Sequence, residues 1–375
     1  MLRKALFRCS LVVVALACAL TVFDFVSRDA GAGPLPFTQE QARQLGFFNY
    51  GSGEEGNVTI SVDTTLATAT FYNNLTVNAG HKITPAGTSA LVISAKSSIT
   101  VAGEISANGS AGQNAPGGSM QNGGAGGAGG GGGLGVTGGA GGNGGGGNSP
   151  GHVGVQPLPG SSTAGNVTMV RGAPAGSPPS FACGAGGAGG ADASEAGGAG
   201  YSGNGLLTQY SSFHGWISEI FDSAQVTIAP QLVGSAFPVA GQGGGGGGGG
   251  GTYAGAGAGG GGGGGGGGVV VLDAPSITIQ SGGKVAANGG AGGNGGSPTG
   301  LNHGAGGGGG GGGSGGLELL ITESLTNNGT VQAIAGAGGA GGVHNVAGAD
   351  GVAGSSGNVG NVWWYQPSTA TWTAL

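Results

Sequence analysis

The chain has 375 residues, 102 of them glycine, where an ordinary protein holds about 7%. Only 6% of its residues are charged, the formal net charge is −6, and beyond the first eight residues no cluster of Lys or Arg exists to meet nucleic acid or an anionic membrane. So much glycine is the mark of flexible linkers, but compact Val/Ile/Thr blocks alternate with the glycines, which argues for ordered strands joined by glycine segments.

The first predicted element is a leader. Arg3, Lys4 and Arg8 form a basic region, Leu11–Phe23 an apolar one, and Ala30-Gly31-Ala32 a small-residue cleavage pattern, which predicts a signal peptide over 1–32. The apolar run is shorter than the roughly 20 residues of a spanning helix, so no membrane contact is expected beyond the leader. Ala15-Leu16-Ala17-Cys18 faintly resembles a lipobox, but the apolar run continues past Cys18. Cleavage leaves Cys183 alone, with no intrachain disulfide to form. A lead-in over 33–57 follows, where Thr38-Gln39-Glu40-Gln41 fits a capping box for a short helix ending at Gly46.

From Val58 to Gly109 the texture is β, with apolar and small polar residues alternating between Asn and Gly turns. Leu91–Ser94, Ser98–Val101 and Glu104–Ala107 read as strands. Leu91–Gly112 aligns with Val270–Gly292, and Leu319–Gly338 is a looser third copy. Each copy has an apolar strand, a corner, an S-[IL]-T strand, a Gly or Asn turn, a short strand and a glycine-rich excursion. Ile277 and Leu325 stand at a spacing inside the roughly 20–50 residues that signals stacked repeats.

Residues 110–268 read as a glycine-rich insert. Within it, 206–222 is dense in large apolar side chains, and Leu206, Tyr210, Phe213, Ile217 and Phe221 follow helical spacing, with Trp216 among them. Capping the sheet and offering an aromatic contact site are both open to this segment. Strand and glycine repeats resume over 269–346. The tail, 347–375, ends in an aromatic strand with Trp363 and Tyr365 on one face and Trp364 on the other.

Glycine runs can themselves be structure. A polyproline-II helix of glycine has three residues per turn, rises about 3.1 Å per residue and leaves every backbone N–H and C=O pointing outward. Neighbouring runs without side chains can approach and pair those groups. The sequence therefore predicts an all-β chain: β-solenoid or sheet-like repeats of short strands with interleaved polyglycine-II-type segments.

The stretch Tyr72–Gly87, continued by ALVISAKSSITVAGEISANGSAGQN, resembles the glycine-rich tail-tip adhesins, or receptor-recognition proteins, of tailed phages. The module GGGGGGVVVLDAPSITIQSGGKVAANGGAGGNGG resembles glycine-rich secreted bacterial proteins of the PGRS-like kind. The adhesin resemblance implies a sandwich of polyglycine-II helices whose loops bind receptors, and carries over no receptor-binding residue. The leader departs from the phage pattern, and no PE-type N-terminal domain is visible.

No G-x-S-x-G, H-E-x-x-H, paired C-x-x-C or P-loop occurs, and the five histidines have no ligand spacing. Neither catalytic residues nor a cofactor or metal is expected. A β-helix lyase or hydrolase would need clustered Asp, Arg or Lys, and Arg43, Lys82, Lys96, Arg171 and Lys284 are the only Lys and Arg beyond the leader. The expectation is a secreted, cell-surface, non-enzymatic protein with a structural or adhesive role. Its partner would be a surface polysaccharide or protein receptor, and self-association is open. A phage-adhesin-like receptor binder and an ice-binding protein, by resemblance to glycine-rich antifreeze proteins, are the alternatives. Tyr210, Phe213, Trp216, Phe221, Tyr253, Trp363, Trp364 and Tyr365 are the candidate contact residues.

Overall fold

Short stretches of Val, Ile, Leu and Thr extend because branched side chains pack well on a pleated surface, and the Gly, Asn and Ser around them turn the chain. The structure, a computed structural model, describes residues 50, 53–67, 70–86, 91–117, 146–149, 187–189, 191, 198–199, 247–299, 304–346, 348–369 and 371–375. The leader, the expected short helix and the aromatic segment 206–222 lie outside them.

The strands are β1 (Asn57–Ile60), β2 (Thr64–Leu66), β3 (Thr70–Val77), β4 (Lys82–Pro85), β5 (Leu91–Val101), β6 (Glu104–Ser106), β7 (Gly146–Ser149) and β8 (Thr252–Ala256). They continue with β9 (Val269–Asp273), β10 (Ser276–Ile279), β11 (Lys284–Ala286), β12 (Leu317–Ile321), β13 (Ser324–Asn327), β14 (Thr330–Gln332), β15 (Asn361–Gln366) and β16 (Thr371–Ala374). A single 3-10 turn, Pro367–Thr369, is the only helical element among the described residues. The expected all-β class holds. One sheet runs β1-β3-β5-β9-β12-β15-β16, with β10 joining β5 to β13; the other runs β14-β11-β6-β4-β2. Pairing is parallel throughout both, except that β16 returns antiparallel on β15, and β7–β8 form a separate antiparallel pair.

Parallel register stacks equivalent residues in columns. Leu75, Ile99, Ile277 and Leu325 form one, and Ile83, Ile105, Val285 and Val331 another. The first three members of each are fully buried, and each such side chain stabilises the fold by about 1.5–3 kcal/mol. Gly80 and Gly282 make the equivalent corners after β3 and β10 with positive φ, which glycine adopts without steric cost.

The register departs from the sequence reading in two places. β5 runs unbroken from Leu91 to Val101, where a corner is expected at Ala95-Lys96. The corner appears in the second copy, where Pro275 has no N–H for the ladder between β9 and β10, and in the third, where Thr322 and Glu323 separate β12 from β13. In the third copy Glu318, not Leu319, pairs with Val270. A slip of one residue exchanges faces, so Glu318 and Leu320 take the core positions that alignment on LLIT assigns to Leu319 and Ile321.

The glycine segments are as regular as the strands. Run 1 (107–117) leaves β6, run 3 (287–298) leaves β11 and run 5 (333–343) leaves β14; run 2 (257–268) enters β9, run 4 (304–316) enters β12 and run 6 (350–360) enters β15. Amide donors recur at every third residue, the period of an extended three-fold helix. Gly109, Gly112 and Ala115 donate to run 3, Gly290, Gly293 and Gly296 to run 2, and Gly262, Gly265 and Gly268 back to run 1, at 2.7–3.0 Å. Three runs thus close a ring of donors.

Run 4 bonds to runs 2, 3, 5 and 6 and to the segments 187–189 and 247–251, which is six neighbours. The sequence of each run matches its place. Run 4 is almost pure glycine, because a side chain in any direction would strike a neighbour. Run 3 repeats Asn-Gly-Gly and Ala-Gly-Gly, with two residues of each turn packed and one facing out. Runs 1 and 6, on the margins, keep roughly one glycine per turn.

A Cβ at Gly264 would collide with the carbonyl of Gly290. Gly264→Ala is expected to destabilise the protein by about 1–3 kcal/mol, the usual cost of overpacking. Ala291→Ser, facing outward, should stay within about 0.5 kcal/mol of wild type. Urea denaturation of the two variants, with amide exchange at Gly262 and Gly293, checks the contrast.

Candidate functional surface

Six residues of run rise by roughly 19 Å and turn twice, so every third side chain of a run lies on one line. Runs 1, 3 and 5 present such lines side by side. Asn108, Asn288 and Ile334 form the first row across them, Ala111, Ala291 and Ala337 the second, and Asn114, Asn294 and Ala340 the third. In a fourth row Ser297 meets Val343.

On an outer run one amide of each turn has no run to bond to, and the asparagines meet that need. Asn108 Oδ1 accepts from Asn288 N and Asn114 Oδ1 from Asn294 N, both at 2.7 Å. Asn288 Oδ1 then accepts from Ile334 N and Asn294 Oδ1 from Ala340 N, both at 2.9 Å. Ser297 Oγ does the same for Val343 N at 3.0 Å. Each carboxamide is thereby fixed by its oxygen, and its Nδ2 hydrogens are left for an acceptor outside. Asn108, Asn114, Asn294 and all three alanines of the second row are exposed, as are Ile334 (50%) and Val343 (58%). No residue of these rows is charged.

The far end of the bundle is closed by a turn between runs 5 and 6. Asp350 Oδ1 accepts from the His344 amide at 2.8 Å and meets His344 Nδ1 at 2.7 Å. The amide bond, then the His344 ring, holds the Asp350 carboxyl below its usual range.

The expected aromatic contact residues fall elsewhere. Tyr210, Phe213, Trp216 and Phe221 lie outside the described residues, and Tyr253 is placed only as part of β8. Trp363, Trp364 and Tyr365 form the expected strand, β15. Tyr365 is buried (4%), and burial, followed by the nearby Glu323 charge, pushes its phenol up. Trp364 is partly buried and donates from Nε1 to Thr322 O at 2.9 Å, tying β15 to the corner after β12. Sequence reasoning passed over the asparagine rows, although the signal was present as N-G-G and A-G-G triplets in 288–296.

Among the described residues two carboxylates, Asp273 and Glu318, are buried, and they do not form a pair. Asp273 and Glu318 lie on neighbouring strands, but Asp273 pairs with Ile321, three residues from Glu318, which puts the two side chains on opposite faces. Asp273 is pushed well up by burial, with the Ser94 hydroxyl opposing. Burial likewise pushes Glu318 well above its usual value. The Ala287 and Gln332 amides, then the Lys284 charge, oppose the shift. The Ala287 N–H is already donated to Gln332 O, and neither Glu318 oxygen has a hydrogen bond. Among the described residues no three His, Cys, Asp or Glu side chains gather to hold a metal.

Comparison of the chain with protein-family models, with curated proteins and with solved structures returns no match.

Glu318 yields a pH prediction. Its folded pKa is raised, so its contribution to stability is fully present below the unfolded value of about 4.3 and is lost as pH rises through the folded one. Glu318→Val, which matches Val270 and Val362 in its row, removes the buried polar group. The variant should be more stable than wild type at pH 7 by about 1–3 kcal/mol. Urea midpoints across the range from about pH 4 to pH 8 should fall less steeply for the variant, with the residual slope owed to Asp273.

Proposed function

We propose that this chain is an exported, non-enzymatic surface protein whose repeats form a β-solenoid and whose glycine runs form a polyglycine-II bundle, together holding a flat face for adhesion. The observation that carries this reading is the uncharged Asn/Ala grid on runs 1, 3 and 5. A face so regular, held by backbone bonds on its inner side, loses little conformational freedom on contact, which is where association usually incurs much of its cost. The leader-like segment 1–32 supports export. The phage-adhesin and PGRS-like resemblances point to the same kind of work.

The test is display. Cells producing the full chain should carry it outside and be retained on biological surfaces more than cells producing the chain without residues 1–32. Equal retention of the two, with the protein found inside in both, would sink the proposal.

A second reading rests on the same periodic, uncharged rows, which also suit an ordered water lattice. Thermal hysteresis in the purified protein would favour that reading, and its absence removes it.

A further inference from the structure

We infer that the outer face of runs 1, 3 and 5 binds a neutral polysaccharide lying along the runs. The inference deepens the adhesive reading and rests on it. Three features select this partner over a protein or a charged polymer.

First, the face has no ionic group, so it has nothing to attract an anionic glycan or an acidic protein surface, and added salt has no ion pair to screen. Second, each asparagine oxygen is occupied by a backbone amide. Each oxygen thus has one of its two lone pairs taken while both Nδ2 hydrogens stay open, so the asparagines offer mainly donors, which suits a partner rich in acceptor oxygens, as the hydroxyl and ring oxygens of sugars are. Third, the methyl groups of Ala111, Ala291 and Ala337 separate the two asparagine rows, a low apolar band for the C–H faces of sugar rings. The rows repeat along the runs, so the matching ligand is an extended chain and not a single sugar. A protein partner would seek a pocket or Trp, Tyr and Arg anchors, and the rows have neither.

Ala291 and Ala337 give a clean probe, because both are exposed and neither side chain caps an amide. Co-sedimentation of the full-length protein with crystalline cellulose and with insoluble chitin, against a pectate gel as the anionic control, makes the test. Wild type should sediment with at least one neutral polymer, to the same extent when salt is added. The double variant Ala291→Glu/Ala337→Glu should bind about tenfold more weakly or worse, because each carboxylate would be desolvated against a neutral surface. Amide-exchange protection at Gly293 and Gly310 should be unchanged in the variant, which separates loss of contact from loss of fold. Binding that survives both substitutions overturns the assignment of the face, and binding to pectate alone overturns the partner class. If neither neutral polymer is bound while displaying cells still adhere, this inference fails and the adhesive reading stands. If cells fail to adhere as well, both fail.

Discussion

Everything in this structure depends on backbone hydrogen bonds between glycine segments. An extended three-fold helix makes none with itself, so each turn must place three N–H groups on neighbours, on a side chain or in water. Glycine is among the costliest residues to order, which makes an isolated run untenable. The strands answer that cost. Each run begins or ends in a strand whose register is fixed by buried columns such as Leu75, Ile99 and Ile277, so neighbouring runs start in step. The closed ring of donors among runs 1, 2 and 3 follows from that start.

The same constraint explains the composition. The number of glycines in each turn reflects how many directions are blocked by other backbone. Run 4, surrounded on six sides, admits a side chain only at its ends and at Ser314, whose hydroxyl accepts from the Asn358 amide at 3.2 Å. Run 3 admits one residue per turn, and there that residue either caps an amide, as at Asn288, Asn294 and Ser297, or stays small, as at Ala291. Asparagine does the first and alanine the second. What reads in the sequence as low complexity is a record of neighbours.

Part of this was legible in advance. The alignment of Leu91–Gly112 with Val270–Gly292 is reproduced at Leu91 opposite Val270 and Ser94 opposite Asp273, because apolar alternation and parallel stacking obey the same period. The third copy was misaligned by one residue. A glutamate inside an apolar strand defeats pattern matching, and only the shared register of Ile277 with Leu325 forces Glu318 inward. The candidate surface was missed for a different reason. Large aromatics are the conspicuous contact candidates, but Trp364 and Tyr365 fasten β15 to the fold. The outward-facing positions are small, and their importance lies in their period of three.

Runs 1, 3 and 5 all travel away from the strands, and runs 2, 4 and 6 all travel back. One strand module therefore contributes a single run to the outer row and a single run to the row beneath it. The breadth of the outer row is then a whole number set by the count of modules. Duplicating a module of this kind would widen the face by one rod and leave the existing rows in place, so the gene can alter its reach along the surface in discrete steps without redesigning a single contact.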